Sequence, residues 1–285
     1  MDFILMLQSI VQGVVQGITE WLPVSSTGHI KLLDAVWPMA ISADFKELFE
    51  VVIQLGSILA VVLLFFHKLN PFSRKKTKSQ QTDTWKMWGK VAVASIPSVI
   101  LGLLIDDAMN SLFHSQPLAE IITIAAALLV YGVLFLVIEG RNKTPRIQSM
   151  DDMSFKTAFF IGMFQMLALI PGTSRSGSTI IGATLLGTSR TVAAEFSFFM
   201  AIPVMLGASG LKTVKLMADG IHVTTNEWIA LAVATAVSFL VSVVVIRFFM
   251  SFIKKHDFKP FGWYRIVLAA VLIAVLIFAP SIFHS

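Results

Sequence analysis

The chain has 285 residues, of which 56% are apolar and only 14% are charged, and its mean hydropathy is +0.80. A soluble domain carries about 25% charged residues, so this composition argues against a soluble fold and for a membrane protein. The sequence has no Cys, which excludes disulfides and thiolate metal sites, and its net charge of +5 suits basic loops on the cytoplasmic side of a membrane better than a nucleic-acid partner.

The first predicted element is an apolar stretch over residues 3–37 that a polar cluster, PVSSTGH at 23–29, divides near its middle. A second stretch of the same kind, 155–189, is divided by PGTSRSGST at 171–179. Neither half of either stretch is long enough to cross a hydrocarbon core of ~30 Å. Irregular backbone inside a bilayer has to be buried in protein or line a wet cavity. Both stretches are therefore predicted to be re-entrant helical hairpins.

Six further segments are long and apolar enough to span the membrane. In chain order they cover residues 48–66, 88–105, 118–138, 193–211, 228–248 and 263–282. The predicted fold class is thus an all-α polytopic membrane protein with six spanning helices plus two re-entrant hairpins.

The order of these elements repeats. Residues 1–140 hold one hairpin and three spans, and residues 141–285 hold the other hairpin and three more spans, within one integral membrane domain. Because three is an odd number, the second half is inserted upside down relative to the first. Inverted repeats with broken helices place functional groups near the midplane, so we expect the two hairpin tips to meet there.

Loop charges predict the orientation. Lys and Arg are concentrated between alternate spans, at Lys68, Arg74, Lys75, Lys76, Lys78, Lys86, Lys90, Arg141, Lys143, Arg146, Lys156, Arg247, Lys254, Lys255, Lys259 and Arg265. The loop at 106–116 has two Asp and no Lys or Arg. Basic loops face the cytoplasm, so the first hairpin enters from the outer side. Lys212 and Lys215 depart from this rule.

Charged groups at membrane depth indicate function by default, which singles out Glu20, His29 and Arg175. Gln16 shares a helix face with Glu20 because the two are four residues apart. Hydroxyls, a guanidinium and N–H groups at a helix start together suit a phosphate. The hydroxyls beside these groups are Ser25, Ser26, Thr27, Thr173, Ser174, Ser176, Ser178 and Thr179.

Structural roles compete with these readings. Small hydroxyl residues often only pack membrane helices, and Glu20 with Arg175 could form an ion pair that serves the fold alone. Glu50, Gln54 and Glu195 lie near the starts of spans, where they either line a cavity or sit at the membrane surface.

The stretches QGITEWLPVSSTGH at 16–29 and PGTSRSGS at 171–178 resemble the two signatures of the bacterial undecaprenyl-diphosphate phosphatase family, also called the bacitracin-resistance family. FEVVIQLGS at 49–57 and the segment starting at Glu195 resemble further family segments, so the likeness runs nearly end to end. It implies hydrolysis of undecaprenyl diphosphate to the monophosphate, which recycles the carrier lipid for peptidoglycan synthesis. It also implies a divalent cation, Mg²⁺ or Ca²⁺, and a site that opens to the outer face of the bacterial cytoplasmic membrane.

Within this interpretation Arg175 clamps the diphosphate, helped by the neighbouring hydroxyls and by Gln16. Glu20 binds the cation or acts as general base, and Ser26 is the preferred nucleophile, with His29 as its base or as the acid for the leaving group. Attack by His29 or by water stays open. The partners are a polyprenyl diphosphate lipid and the bilayer; a homodimer is left open.

Two other functions compete with this one. Inverted repeats with broken helices are also a transporter architecture, so a transporter or flippase for a polyprenyl phosphate lipid is the alternative. The phosphatidate-phosphatase superfamily uses a Ser-Arg followed by His, and neither Ser174-Arg175 nor Ser189-Arg190 has a His at a suitable distance.

Overall fold

The computed structural model describes residues 3–141, 144–220 and 223–278 and folds them almost entirely into helices. Eleven α-helices occur in these ranges: α1 (Phe3–Thr19), α2 (Ser26–Val36), α3 (Ala43–Leu64), α4 (Phe66–Leu69), α5 (Lys78–Ser115), α6 (Pro117–Gly140), α7 (Phe155–Gln165), α8 (Arg175–Leu185), α9 (Arg190–Ala218), α10 (Thr225–Ile253) and α11 (Lys259–Phe278). A short 3-10 turn, Met166–Leu169, follows α7. No β-strand occurs in the described ranges.

Six of these helices, α3, α5, α6, α9, α10 and α11, are long and apolar enough to cross a membrane, as predicted. The largest difference from the prediction concerns α5. The expected outer loop at 106–116 is helical as far as Ser115, and Pro117 begins α6 at once. Hydropathy falls at the two Asp residues of this segment, but a polar helix can continue beyond the apolar core. The predicted sixth span ran to 282, and its last four residues lie outside the described ranges.

Both predicted hairpin stretches consist of a helix, a turn and a second helix. The first leg of each stretch packs against the second span of the opposite half, because α1 contacts α10 and α7 contacts α5. The last spans of the two halves, α6 and α11, pack against each other. This exchange of partners fits the predicted re-entrant hairpins and inverted repeat.

Two glycines allow the close packing of the first legs. A Cβ on Gly13 would lie 2.5 Å from the carbonyl oxygen of Ala234 on α10, and one on Gly162 would overlap the carbonyl oxygen of Ala94 on α5. Only a residue without a side chain lets the backbones approach so closely. Each glycine lies equally far along the chain from its tip, so the two first legs make these close contacts at corresponding positions.

The described ion pairs divide between the two ends of the helix bundle. One end has Lys31–Glu120, Lys46–Asp34 and Lys212–Glu47, and the other has Lys68–Glu195, Lys86–Asp83, Arg190–Glu139 and Lys259–Asp257. Every pair joins residues that a six-span topology puts on the same side. Lys212, which departs from the charge rule, is 2.6 Å from Glu47. The pair Glu20–Arg175 belongs to neither end, because it lies where the two tips meet.

Candidate active site

The two tips share an unusual backbone conformation. Ser25, just before α2, has a φ of 73°, and Ser174, just before α8, has a φ of 69°; within the described chain no other non-glycine residue has a positive φ. Each serine Oγ accepts a hydrogen bond from the backbone N–H three residues later, at 3.3 Å from Gly28 and 3.2 Å from Gly177. Such a conformation costs about 1–3 kcal/mol and persists mainly at functional sites. Both tips are therefore strained helix starts, and the N–H groups of a helix start suit an anion.

The acid of the first tip and the base of the second form an ion pair. Arg175 Nη2 lies 3.1 Å from Glu20 Oε1, although 155 positions separate the two residues. Their side chains are 11% and 8% exposed, so the pair is buried but not sealed. This contact confirms that the tips meet.

The second carboxylate oxygen of Glu20 accepts hydrogen bonds from two polar side chains. Ser26 Oγ and Gln16 Nε2 each donate to Glu20 Oε2 at 3.1 Å. The Ser26 hydroxyl therefore has a carboxylate acceptor, which is what a hydroxyl needs to lose its proton as a nucleophile.

Arg175 is held by groups other than Glu20 as well. Its Nη1 donates to the carbonyl oxygen of Ser197 on α9 at 2.9 Å, and its guanidinium carbon lies 5.6 Å from the ring centroid of the buried Trp21. Its Nε has no hydrogen-bond partner within the described residues. An unpaired buried donor costs about 1–3 kcal/mol, so Nε is a donor that the described protein groups leave unused.

The other predicted diphosphate contacts of the second tip have protein partners. Thr173 donates to the carbonyls of Leu167 and Ile170, Ser174 lies 3.1 Å from the hydroxyl of Ser176, Ser176 donates to the carbonyls of Glu20 and Leu22, Ser178 donates to the hydroxyl of Tyr131, and Thr179 bonds to the hydroxyl of Ser197. Four of the five are buried, the exception being Ser174. In this conformation they support the tip, whereas Arg175 and Ser174 retain exposed surface.

His29 lies one turn into α2 and has both ring nitrogens bonded. Its Nδ1 is 2.7 Å from the Ser25 carbonyl oxygen, so Nδ1 carries the proton, and its Nε2 is 2.7 Å from the Tyr264 hydroxyl. His29 is predicted from the sequence to act with Ser26, but in the structure Ser26 bonds to Glu20. The imidazole instead turns back toward a carbonyl of its own helix. Thr27, in the first turn of α2, is exposed.

The three residues considered as cavity lining have no described contact with the pair of Glu20 and Arg175. Glu195 is bound to Lys68 at 2.8 Å, at the end of the bundle that the predicted topology places inside. Glu50 and Gln54 are half-buried on α3. The described contacts do not connect any of the three with Glu20 or Arg175.

Four residues of α6, α9 and α11 that sequence patterns do not single out surround the tips: Tyr131, Ser197, Tyr264 and Arg265. The prediction that Arg265 is a cytoplasmic loop charge is wrong, because this side chain is fully buried and donates to backbone carbonyls of both tips. The sequence does contain a signal for Arg265, because it is an arginine at the seventh position of an otherwise largely apolar helix. A cation at membrane depth is rarely without function.

Comparison with known proteins gives a consistent result. The family model described as bacitracin resistance protein BacA matches residues 9–271. A protein of Enterococcus faecalis named undecaprenyl-diphosphatase is 49% identical over 274 residues, covering 95% of this chain and 98% of the relative. Undecaprenyl-diphosphatase 1 of Clostridioides difficile is 54% identical over 94% of both chains, and the undecaprenyl-diphosphatase of Lactiplantibacillus plantarum is 53% identical over 93% of this chain and 96% of its own length.

Proposed function

Because the chain belongs to the bacitracin resistance protein BacA family, we propose that it is a multi-pass membrane hydrolase that converts undecaprenyl diphosphate to undecaprenyl phosphate. The reaction releases inorganic phosphate and returns the lipid carrier to peptidoglycan synthesis, and it confers bacitracin resistance. One observation carries the proposal to this chain: the Glu20 carboxylate lies between Arg175 and Ser26 where two strained helix starts meet. This arrangement supplies an acceptor for a proton, a nucleophile and donors for phosphate oxygens.

Arg175 is proposed to bind the diphosphate. Its Nη1 and Nη2 are fixed by the Ser197 carbonyl and by Glu20, so the guanidinium plane has a set orientation before substrate arrives. Its Nε has no hydrogen-bond partner among the described residues, and the starts of α2 and α8 lie beside it, where the N–H groups of a helix start suit phosphate oxygens. Catalysis of phosphoryl transfer is mostly positioning and charge stabilisation, for which such preorganised donors are suited.

Glu20 is proposed as the general base and Ser26 as the nucleophile. Ser26 Oγ attacks the terminal phosphorus, its proton passes to Glu20 Oε2, and the bond from that phosphorus to the bridging oxygen breaks, so that undecaprenyl phosphate leaves. Water then hydrolyses the phosphoserine and frees inorganic phosphate. Direct attack by water with Glu20 as base is the alternative. In both routes Glu20 is the general base. A homodimer is not required, because one chain provides both tips.

We further propose that a divalent cation, Mg²⁺ or Ca²⁺, assists the reaction. The Glu20 carboxylate, the Gln16 amide oxygen and the Ser26 hydroxyl are oxygen ligands, which fit a hard cation. The described residues contain no group of three His, Cys, Asp or Glu side chains that could hold a metal by themselves. The diphosphate and water would complete the coordination, as is usual for Mg²⁺. A bound cation would neutralise charge on the phosphate oxygens.

Gln16→Glu tests this donor set. We expect the variant to keep its rate within about threefold at saturating Mg²⁺ and to need less Mg²⁺ for half-maximal rate, because cation affinity rises with the number of charged ligands. Mg²⁺ titrations of phosphate release check this, with Gln148→Glu, exposed in the loop before α7, as the control that leaves the titration unchanged. A variant that is inactive at every Mg²⁺ concentration would contradict the proposed role of Gln16.

Release of inorganic phosphate tests the function itself. The purified protein, reconstituted in vesicles with undecaprenyl diphosphate, is expected to produce phosphate and undecaprenyl phosphate in equal amounts. The transporter alternative predicts that the lipid moves between leaflets with no phosphate release. That outcome, with a folded protein, would refute the hydrolase.

We propose that the site opens to the outer face of the bacterial cytoplasmic membrane. The ion pairs that join α2 to α3 and to α6 support this proposal. They lie at the end of the helix bundle opposite the basic loops, and basic loops face the cytoplasm. The chain has no Cys, so single cysteines can report the orientation. Thr27→Cys is expected to react with a membrane-impermeant thiol reagent added outside whole cells.

Lys75→Cys provides the opposite control. Lys75 is exposed in the basic loop before α5, and it is preferred to Lys76, whose Nζ bonds to Thr84 at 2.7 Å. Lys75→Cys should react only after the cells are opened. Labelling of Thr27→Cys solely from the inside would overturn the orientation while leaving the hydrolase intact.

A further inference from the structure

Arg265 joins the two tips from a third element. It lies on α11 with 0% exposure. Its Nη1 donates to the carbonyl oxygen of Pro23 in the first tip at 3.2 Å. Its Nη2 donates to the carbonyl oxygens of Gly172 at 2.8 Å and Thr173 at 3.1 Å in the second tip. The guanidinium carbon lies 5.3 Å from the ring centroid of Tyr131 on α6. One planar cation thus connects both tips with α6 and α11.

The carbonyls that Arg265 holds occupy corresponding places in the two tips. Pro23 comes two residues before the strained Ser25, and Gly172 comes two residues before the strained Ser174. Each carbonyl therefore lies the same two residues ahead of the strained serine that precedes its helix. Because the two nitrogens of a guanidinium are rigidly spaced, bonding one carbonyl of each tip fixes the tips relative to each other.

Arg265 also keeps an uncompensated charge. Within the described part of the chain its polar contacts are carbonyl oxygens, and no carboxylate pairs with it. Its Nε has no hydrogen-bond partner among the same residues. A Cβ on Gly177, in the first turn of α8, would be 3.3 Å from its Nη1, so the charge lies close to the helix start that follows Ser174. A cation without a counter-ion at membrane depth is costly, and it is normally retained for function.

We infer that Arg265 is a positioning residue that holds the two tips in register, so that Ser26 from one and Arg175 from the other act on the same diphosphate. This inference rests on the proposed hydrolase function. Arg265 itself is fully buried behind the tips and acts through their backbones. Loss of its bridge therefore lowers the rate of the chemical step and leaves substrate binding largely unchanged.

Arg265→Lys tests the bridge, because an ammonium keeps the charge but cannot span the two carbonyls. We expect kcat to fall about 10²-fold, the usual consequence of misplacing reacting groups by about 1 Å. KM for undecaprenyl diphosphate should stay near the parent value. Arg190→Lys is the matched control, since Arg190 binds Glu139 away from the tips, and its kcat should equal that of the parent. A purely structural role predicts an altered melting temperature with unchanged kcat per folded molecule.

A second pair of variants applies if Arg265→Lys does not fold. Tyr131→Leu removes the ring beneath the guanidinium and leaves Arg265 in place, whereas Tyr131→Phe removes only the hydroxyl that accepts from Ser178. We expect kcat to be lower in Tyr131→Leu than in Tyr131→Phe, with similar KM in both. Parent-like kcat in folded Arg265→Lys, or equal kcat in the two Tyr131 variants, would overturn the inference. Absence of phosphate release by the parent itself would instead refute the proposed function.

Discussion

Arg175→Lys is expected to lower kcat by about 10²–10³-fold, the range seen when one preorganised donor to a developing charge is removed. Lysine keeps the charge, but its single nitrogen cannot bond the Ser197 carbonyl and Glu20 while leaving a third donor for phosphate. A planar guanidinium has enough donors to make all three contacts. Steady-state phosphate release by the purified variant measures the effect.

The control for this prediction is Arg190→Lys, which makes the same change at another arginine. Arg190 is the first residue of α9 and pairs with Glu139, away from the tips. It should retain its rate. Near-parent turnover by a folded Arg175→Lys protein would remove Arg175 from the phosphate clamp, since a point charge would then suffice.

Much of this fold follows from sequence patterns because lipid leaves few alternatives. An apolar run of about 20 residues has to be a spanning helix, and Pro, Gly and hydroxyl clusters within such a run mark the breaks. Three spans per half also predict that Glu20 and Arg175 come from opposite faces and meet, and the structure confirms the contact between the two residues.

The detail of the site is less accessible from the sequence. Ser26 and Thr179 belong to equally polar runs, yet Ser26 bonds to Glu20 and Thr179 bonds to Ser197 beneath the tip. Composition does not reveal on which side of a turn a hydroxyl points. That direction depends on the backbone conformation of the tips, including the positive φ of Ser25 and Ser174. Arg265 was misassigned for a related reason. Positive charge near a span end is normally a loop signal, and burial alone distinguishes the exception.

Glu20→Gln is the second change with a large expected effect. The amide still fits between Arg175 and Ser26, so we expect the protein to fold. It cannot take the proton of Ser26 or of water, and general-base catalysis contributes about 10²–10⁴-fold, so kcat should fall by that order. Added Mg²⁺ should not restore the rate, because a neutral amide is a weak ligand. Phosphate release across a Mg²⁺ titration measures both effects.

Glu139→Gln separates catalysis from folding in this comparison. Glu139 is also a buried carboxylate, and it accepts from Arg190 Nε at 2.9 Å and from the Phe258 backbone N–H at 3.1 Å. Removing its charge weakens a contact that ties α6 to α9 and to the start of α11, so the melting temperature should fall while kcat per folded molecule stays near the parent value. In Glu20→Gln, by contrast, kcat should fall while the melting temperature stays near the parent value. If Glu20→Gln instead loses stability and keeps its turnover, then the pair with Arg175 serves the fold alone, and the base has to be sought elsewhere between the tips.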